Sequence, residues 1–336
     1  MLPEPLPRTI PDDILDISWF AEDWQCLPWS PWVSFSAGRQ EFLLIPKEPG
    51  LYRIRPTGGN HLMYIGRTGK MLHQKLAGLR QTLRRTDLMP WNDPHTEAPG
   101  LWAWRDAESA VLSVPGEGVR REEPDDGIRG KDGIEEAAPN LCGYECSAAP
   151  LDASPAGLRG MESFLLYRYR QEYGESPLCN FGRFHPQYRR STNRKENLRG
   201  GRLAEGQKDN PAGWPSIPPL DPEGNFGERD WMGLEWTPAE TLTAETSRQV
   251  APGAGLFLLT DAGTGEILSI GQSTDCAGRL HALSQRDGDG HELRFSYQIL
   301  GHKVLPHNLR ELENDLIGNF FEKYRKVPAF QFRAGH

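Results

Sequence analysis

The chain has 336 residues, enough for two domains that each bury a core, and its 10 Trp and 37% hydrophobic content mark it as globular and not disordered. No apolar run reaches the length of a membrane span, and Met1-Leu2-Pro3-Glu4-Pro5 has neither the basic start nor the apolar core of a signal peptide, so no membrane partner is expected. A net charge of −8 runs against nucleic-acid binding, yet residues 67–85 carry six Lys or Arg and no acid, 183–208 carry eight against two, and 117–136 hold eight acids against four bases.

Residues 1–18 are rich in Pro and acid, with Ile14, Leu15 and Ile17 available to dock on a surface. Trp19, Phe20, Trp24, Trp29 and Trp32 follow; such rings can stack on bases, but burial beneath a sheet is the preferred reading. Gly50-Leu51-Tyr52 and Tyr64-Ile65-Gly66 lie in short apolar runs around the turn-forming Pro56-Thr57-Gly58-Gly59-Asn60, which predicts a β-hairpin. Leu72, Leu76, Leu79 and Leu83 then form the apolar stripe of a helix flanked by Arg67, Lys70, Lys75, Arg80, Arg84 and Arg85.

A turn-rich loop, 89–96, contains His95, which reads equally as a structural histidine or as one reaching phosphate or water. An ordered element begins near Leu101-Trp102, and residues 115–140 are an acidic, Gly-rich insertion without periodicity. Leu141 to Leu151 reads as a strand, and Leu158, Met161 and Leu165 as a helix running to about Tyr173, with Glu162 in its first turn and a stop near Gly174 and Pro177. Arg183 to Lys208 is a basic arm, and residues 209–226, with five prolines, are the linker candidate. Of the five cysteines, Cys142 and Cys146 have a metal-like spacing, but no second pair balances them; strand thiols in a reducing cytoplasm are the preferred reading.

The second half repeats the first. Trp231, Leu234, Trp236 and Pro238 line up without gaps on Trp24, Leu27, Trp29 and Pro31, while Gly255-Leu256-Phe257 and Ser269-Ile270-Gly271 both stand 205 residues after the two hairpin tripeptides. Leu309-Arg310 and Glu313 match Leu158-Arg159 and Glu162; Tyr324, Pro328 and Phe332 match Tyr173, Pro177 and Phe181. Both hairpin tyrosines are replaced in this copy, by Phe257 and Ser269, Gln331 stands for Asn180, and Arg279 lies on the following helix. Phe keeps the shape of Tyr without its proton, so the second copy is expected to fold and not to cleave.

The two tripeptides, followed by Glu162 on a helix and then by Asn180-Phe181-Gly182-Arg183, resemble the signature elements of the GIY-YIG nuclease superfamily, in the family's order and over about residues 40–200. The resemblance implies an α/β (α+β) chain of two tandem units, each a small, mainly antiparallel sheet flanked by helices. Residues 1–200 would be the catalytic unit, 209–226 a linker and 227–336 the degenerate unit.

It further implies a Mg²⁺-dependent endonuclease of restriction or defence type, with Mn²⁺ as a substitute, hydrolysing phosphodiester bonds of duplex DNA. Glu162 would hold the metal, against the plainer role of a carboxylate favouring a helix N-terminus. Tyr64 would be the general base, its phenol brought down by Arg67, Lys75 and Arg80, and Tyr52 would orient water or phosphate; plain aromatic packing competes for both. His95 and Asn180 complete the catalytic set. Lys75 occupies about the position of a family arginine, which leaves Arg80 or Arg84 as alternative phosphate clamps, with His73 on the same helical face. Arg84, Arg85, Arg183, Arg189, Arg190, Arg194, Lys195, Arg199 and Arg202 are the DNA-binding candidates, against a merely solvated basic loop. With one competent site per chain, a double-strand break would need a homodimer on DNA, or one chain dissociating and rebinding. The competing readings are a non-catalytic nucleic-acid-binding module and a structure-specific repair or recombination nuclease.

Overall fold

The computed structural model describes residues 18–112, 143–286, 290–301 and 303–333. The proposed acidic insertion, Cys142 and the first 17 residues lie outside these. The first half runs β1 (Val33–Ser34), α1 (Arg39–Phe42), β2 (Gly50–Pro56), β3 (Tyr64–Thr68), α2 (Leu72–Leu83), α3 (Ala98–Leu112), β4 (Tyr144–Pro150) and α4 (Pro155–Tyr173). A short hairpin, β5 (Tyr188–Arg189) with β6 (Gly201–Arg202), precedes the second half: β7 (Glu240–Thr241), β8 (Gly255–Asp261), β9 (Ile267–Ser273), α5 (Cys276–Ser284), β10 (Leu293–Ile299) and α6 (Pro306–Tyr324). The chain is α+β with antiparallel sheets, as expected.

The two four-stranded sheets share one topology, β1-β4-β2-β3 and β7-β10-β8-β9. Strand alternation sends Leu51 and Ile65 to one face, against α4, and Tyr52, Ile54 and Tyr64 to the other, against α2 and α3. In the second half Leu256 and Ile270 join the core with α6, and Phe257 packs with α5. Trp24 and Trp29 are core and Trp19 and Trp32 pack half-buried against it, as preferred from the sequence. Trp24 and Trp29 are buried around Arg53, whose guanidinium lies 4.3 Å from the Trp29 ring and donates to the Trp19, Phe20 and Ala21 carbonyls. Trp231 and Trp236 repeat the arrangement, each pair linked by an indole N–H to the carbonyl of the earlier tryptophan.

β3 and β9 are sheet edges, and a side-chain amide covers each. Asn180 accepts from Ile65 N at 3.0 Å and donates to Ile65 O at 2.8 Å; Gln331 does the same to Ile270 at 2.9 and 3.0 Å. Asn180 is thus a strand clamp and not a group aimed at substrate. Its replacement by Gln331 preserves that function, where the sequence suggested a lost catalytic group.

α4 and α6, each 19 residues long, pack on one another about a local two-fold relation in which positions 151 apart are equivalent. Equivalent residues meet at the centre: Asn314 donates to Ser163 O at 3.1 Å, and Gly318 lies so close to Tyr167 that a methyl group there would collide with it. Away from the centre the contacts reciprocate, as an isologous interface requires. Arg159 donates to Phe332 O at 3.2 Å and Arg310 to Phe181 O at 2.9 Å. One reciprocal pair has diverged: Arg170 binds Asp315 through two hydrogen bonds of 2.8 and 3.0 Å, fully buried, where the mirror contact is Phe321 on Phe164.

The Pro-rich stretch read as a linker is strapped across this helix pair. Arg170 donates to Ser216 and Ile217 O, Gln171 to Leu220 O, and Glu311 and Asp315 accept from the Ile217 and Leu220 amides. Prolines bar it from a helix or sheet, so its backbone groups pair with side chains instead. α4 also begins earlier than its apolar stripe suggested, with Ser154 as N-cap and Pro155 at the first position, which moves Glu162 from the first turn to the third. Gly318→Val, which cannot be accommodated without parting α4 from α6, should lower stability by about 2 kcal/mol or more, read as a shifted urea midpoint. A midpoint equal to that of the unaltered chain would contradict this packing.

Candidate active site

The side chains singled out on the hairpin gather around β3. The Tyr52 and Tyr64 rings lie 5.9 Å apart on one face, over Gly66. A methyl group at Gly66 would come within 2.5 Å of Tyr64 and 2.8 Å of the Tyr52 hydroxyl, so the tripeptide's glycine is the floor on which both rings rest. Gly271 has the same role beneath Phe257. Tyr52 is 1% exposed, whereas Tyr64 is half-buried at the open edge of the sheet.

Sequence reasoning missed the residue that links these groups, Glu97. It is 1% exposed, and its Oε1 accepts from the Tyr52 hydroxyl at 2.9 Å and pairs with Lys75 Nζ at 2.9 Å. Lys75 Nζ also lies 3.1 Å from His95 Nδ1, and His95 Nε2 abuts Gly78 of α2, where a methyl group would come within 2.9 Å of it. His95–Lys75–Glu97–Tyr52 is therefore one connected polar chain. Oε2 of Glu97 is buried and accepts no hydrogen bond among the described residues. A lone acid between turn residues carries no periodic signal; only its position two residues after His95 pointed to it.

Across the edge strand, Arg67 of β3 donates from Nε to Glu162 Oε2 of α4 at 2.9 Å. Burial pushes the Glu162 carboxyl up to about 7, against the opposing pull of Arg67 and Arg159. Burial also raises both phenols well above their ordinary range, and the carboxylates Glu97 and Glu162 add to it. The expectation that cations bring Tyr64 down is thereby reversed: its near neighbours include two acids, so it keeps its proton at neutral pH. Burial and Lys75 lower the imidazole of His95.

Other candidates lie elsewhere. Arg80 donates to Ala37 O and covers the Phe42 ring, and His73 packs edge-on against Phe42, so that face of α2 is engaged with α1 and offers no phosphate clamp. Arg84 is exposed and Arg85 pairs with Asp87 at 2.7 Å. In the basic arm, Arg183 is 6% exposed and bonded to Ser176 and Glu175; Arg190 donates to Arg183 O over Phe184; Arg199 donates to Met89 O and stacks on Trp91. These three hold the arm in place and are withdrawn as free phosphate ligands. Arg189, Arg194, Lys195 and Arg202 are exposed.

In the second half Phe257 and Ser269 occupy the tyrosine positions, and Arg279 of α5 corresponds to Lys75. Among the described residues nothing corresponds to Glu97 or His95; residues 285–292 join α5 to β10 where residues 84–143 join α2 to β4. Glu313 retains the position of Glu162, and burial likewise pushes its carboxyl up to about 7, but Gln272 stands at the register position of Arg67. No family model matches the chain, and neither a curated protein nor a solved structure matches it. No helix among the described residues is long and apolar enough to cross a membrane.

Among the described residues no three His, Cys, Asp or Glu side chains converge as a metal cage. Glu162, with 22% of its side chain open to solvent, suits a different mode: a hard cation that retains most of its own water and takes one protein carboxylate, as Mg²⁺ does and a structural zinc does not.

The two equivalent glutamates give a stability signature. A carboxyl whose folded value is raised from about 4.5 to about 7 stabilises the fold below its unfolded value, and that stability is lost as pH rises through 7. Glu162→Gln and Glu313→Gln, measured in EDTA, should each match the unaltered chain at pH 5 and exceed it at pH 8 by on the order of 2–3 kcal/mol. Equal stability gains at both pH values would contradict the burial of these groups.

Proposed function

We propose that the first half is a divalent-cation-dependent endonuclease that hydrolyses phosphodiester bonds of duplex DNA, a GIY-YIG-like site of restriction or defence type. The observation that carries this reading is the pairing, around one edge strand, of the Tyr52–Glu97–Lys75–His95 chain with Tyr64 and the Arg67–Glu162 pair. Both halves keep the sheet, the edge clamp and the helical glutamate, and only one carries the polar chain.

The groups divide the work by their proton inventory. Lys75 has three protons, two of which meet Glu97 and His95, and the third is left for a phosphate oxygen. Tyr64, bonded to the Thr96 side chain and retaining its proton, donates to the phosphate from the open edge. Tyr52 gives its only proton to Glu97, so its oxygen serves as an acceptor within the site. Arg67 orients the Glu162 carboxylate and adds a positive charge beside it. A divalent cation held by Glu162 would offset charge on the phosphoryl oxygens and the leaving oxygen. Asn180 fixes the strand on which Tyr64 and Arg67 stand. Exposed Arg189, Arg194, Lys195 and Arg202 supply the backbone contacts that the net charge conceals.

Supercoiled plasmid in Mg²⁺ should be nicked or linearised, and EDTA should stop it. Glu162→Gln and Tyr64→Phe should each lower the rate about 10²-fold or more, with DNA binding in Ca²⁺ retained. Cleavage that survives EDTA, or that survives Glu162→Gln, would remove the metal from this helix.

Replacing Arg189, Arg194, Lys195 and Arg202 with Ala should flatten the salt dependence of DNA binding, lowering the log–log slope by about 0.9 for each side chain that had neutralised a phosphate. An unchanged slope would return the arm to a solvated surface.

A further inference from the structure

We propose that Glu97 is the positioning residue of this site, the buried carboxylate that sets the direction of the Tyr52 and Lys75 hydrogen bonds. This rests on the nuclease reading for its consequence, but not for its geometry. Glu97 Oε1 is shared by two donors at 2.9 Å, Tyr52 Oη and Lys75 Nζ. With Lys75 an ammonium, its contact to His95 places the acceptor at Nδ1 and the ring proton at Nε2, against Gly78. Removing the negative charge of Glu97 leaves Lys75 without its counter-ion and loosens the hold on the Tyr52 proton, a neutral amide oxygen being a weaker acceptor than a carboxylate.

Three observations argue against a merely structural carboxylate. The second half builds the same four-stranded sheet with the same edge clamp, and it has Phe257 at the Tyr52 position with no buried carboxylate packed on that ring among the described residues. The fold therefore stands without this group. Glu97 belongs to the connection 84–143, whose length the second half does not share. Finally, Oε2 is buried with no hydrogen-bond partner among the described residues, an arrangement that an apolar replacement would avoid. A chain under selection for stability alone gains nothing from it.

The test compares Glu97→Gln, Tyr52→Phe and the double variant, with Glu97→Asp as the conservative control and circular dichroism to check folding. Three quantities are read: plasmid cleavage in Mg²⁺, DNA affinity in Ca²⁺, and the acylation rate of Lys75 by acetic anhydride followed by peptide mass spectrometry. Glu97→Gln should cleave at least 100-fold more slowly while binding DNA as tightly as the unaltered chain or more so, because a negative charge near the phosphate has gone. Lys75 should be acylated several-fold faster, and Glu97→Asp should recover part of both properties. The double variant should be no slower than Glu97→Gln alone, since two residues acting as one unit do not lose their effects twice. Cleavage within threefold of the unaltered chain, or two losses that multiply, would overturn the proposal. If the unaltered chain cleaves no DNA, the nuclease reading falls and the Lys75 acylation decides the geometry: a rate unchanged by Glu97→Gln refutes the positioning role, and an accelerated one sustains it. Should Glu97→Gln fail to fold, Tyr52→Phe, which keeps the ring packing, is read for loss of cleavage with DNA affinity retained, and unaltered cleavage there refutes the proposal equally.

Discussion

The packing of α4 on α6 is the constraint on which the rest of the structure depends. α4 carries Glu162, and its opposite side is covered by the second half and not by solvent. Close approach of the two helices requires glycine at 318, where Tyr167 leaves no room for a side chain, and at 160, where a methyl group would sit 2.5 Å from the Phe321 ring. The approach is locked by the buried Asn314–Ser163 O hydrogen bond between equivalent positions and by the fully buried Arg170–Asp315 pair. Such a pair offsets its desolvation only when every oxygen and N–H is matched. The Pro-rich strap supplies those matches, through Ser216, Ile217 O and the Leu220 amide. The second half thus supports the first physically: without it, α4 loses its partner and Glu162 its fixed place.

The contacts of that interface also tie its two sheets together. Arg310, on the second half's long helix, holds the carbonyl of Phe181, the residue that follows the Asn180 clamp, and Arg159 does the reciprocal service for Phe332 after Gln331. Both phenylalanines adopt the left-handed conformation, with φ of 54° and 66°, which turns their carbonyls toward the arginines. Each sheet edge is therefore set partly by the other half.

What was legible in the sequence was whatever has a period or a register. The hairpin, the leucine stripe of α2 and the repeat all depend on local spacing, and each was recovered close to its observed bounds. What was not legible was which polar side chain meets which. The six cations of residues 67–85 look alike in sequence, but Arg80 turns to a backbone carbonyl, Arg85 to its neighbour Asp87, and only Lys75 and Arg67 enter the site. Glu97 escaped notice because a buried charge lies in an aperiodic loop, and its significance comes from Lys75 and Tyr52, both distant in the chain. Burial reverses intuition about the phenols for the same reason: sequence distance to cations was visible, and the two acids packed closer in space were not.

The contrast between the halves separates what the fold needs from what the chemistry needs. Asn180 and Gln331 differ by a methylene and hold their strands alike, so that difference leaves the edge clamp unchanged. Glu162 and Glu313 share position, burial and a raised carboxyl, so those features follow from the fold they have in common. Gly66 and Gly271 both lie under an aromatic ring, and the ring's shape alone accounts for the glycine. What remains distinct to the first half is the hydroxyl of Tyr52, the ring of Tyr64, Arg67 beside Glu162, and the Glu97–Lys75–His95 cluster. A hydroxyl buried to 1% exposure without an acceptor would be penalised, and Glu97 is the acceptor that makes it tolerable. Conversely, Phe257 in the same pocket requires no such partner and has none, so the loss of the hydroxyl and the lack of the acid are one change seen from two sides.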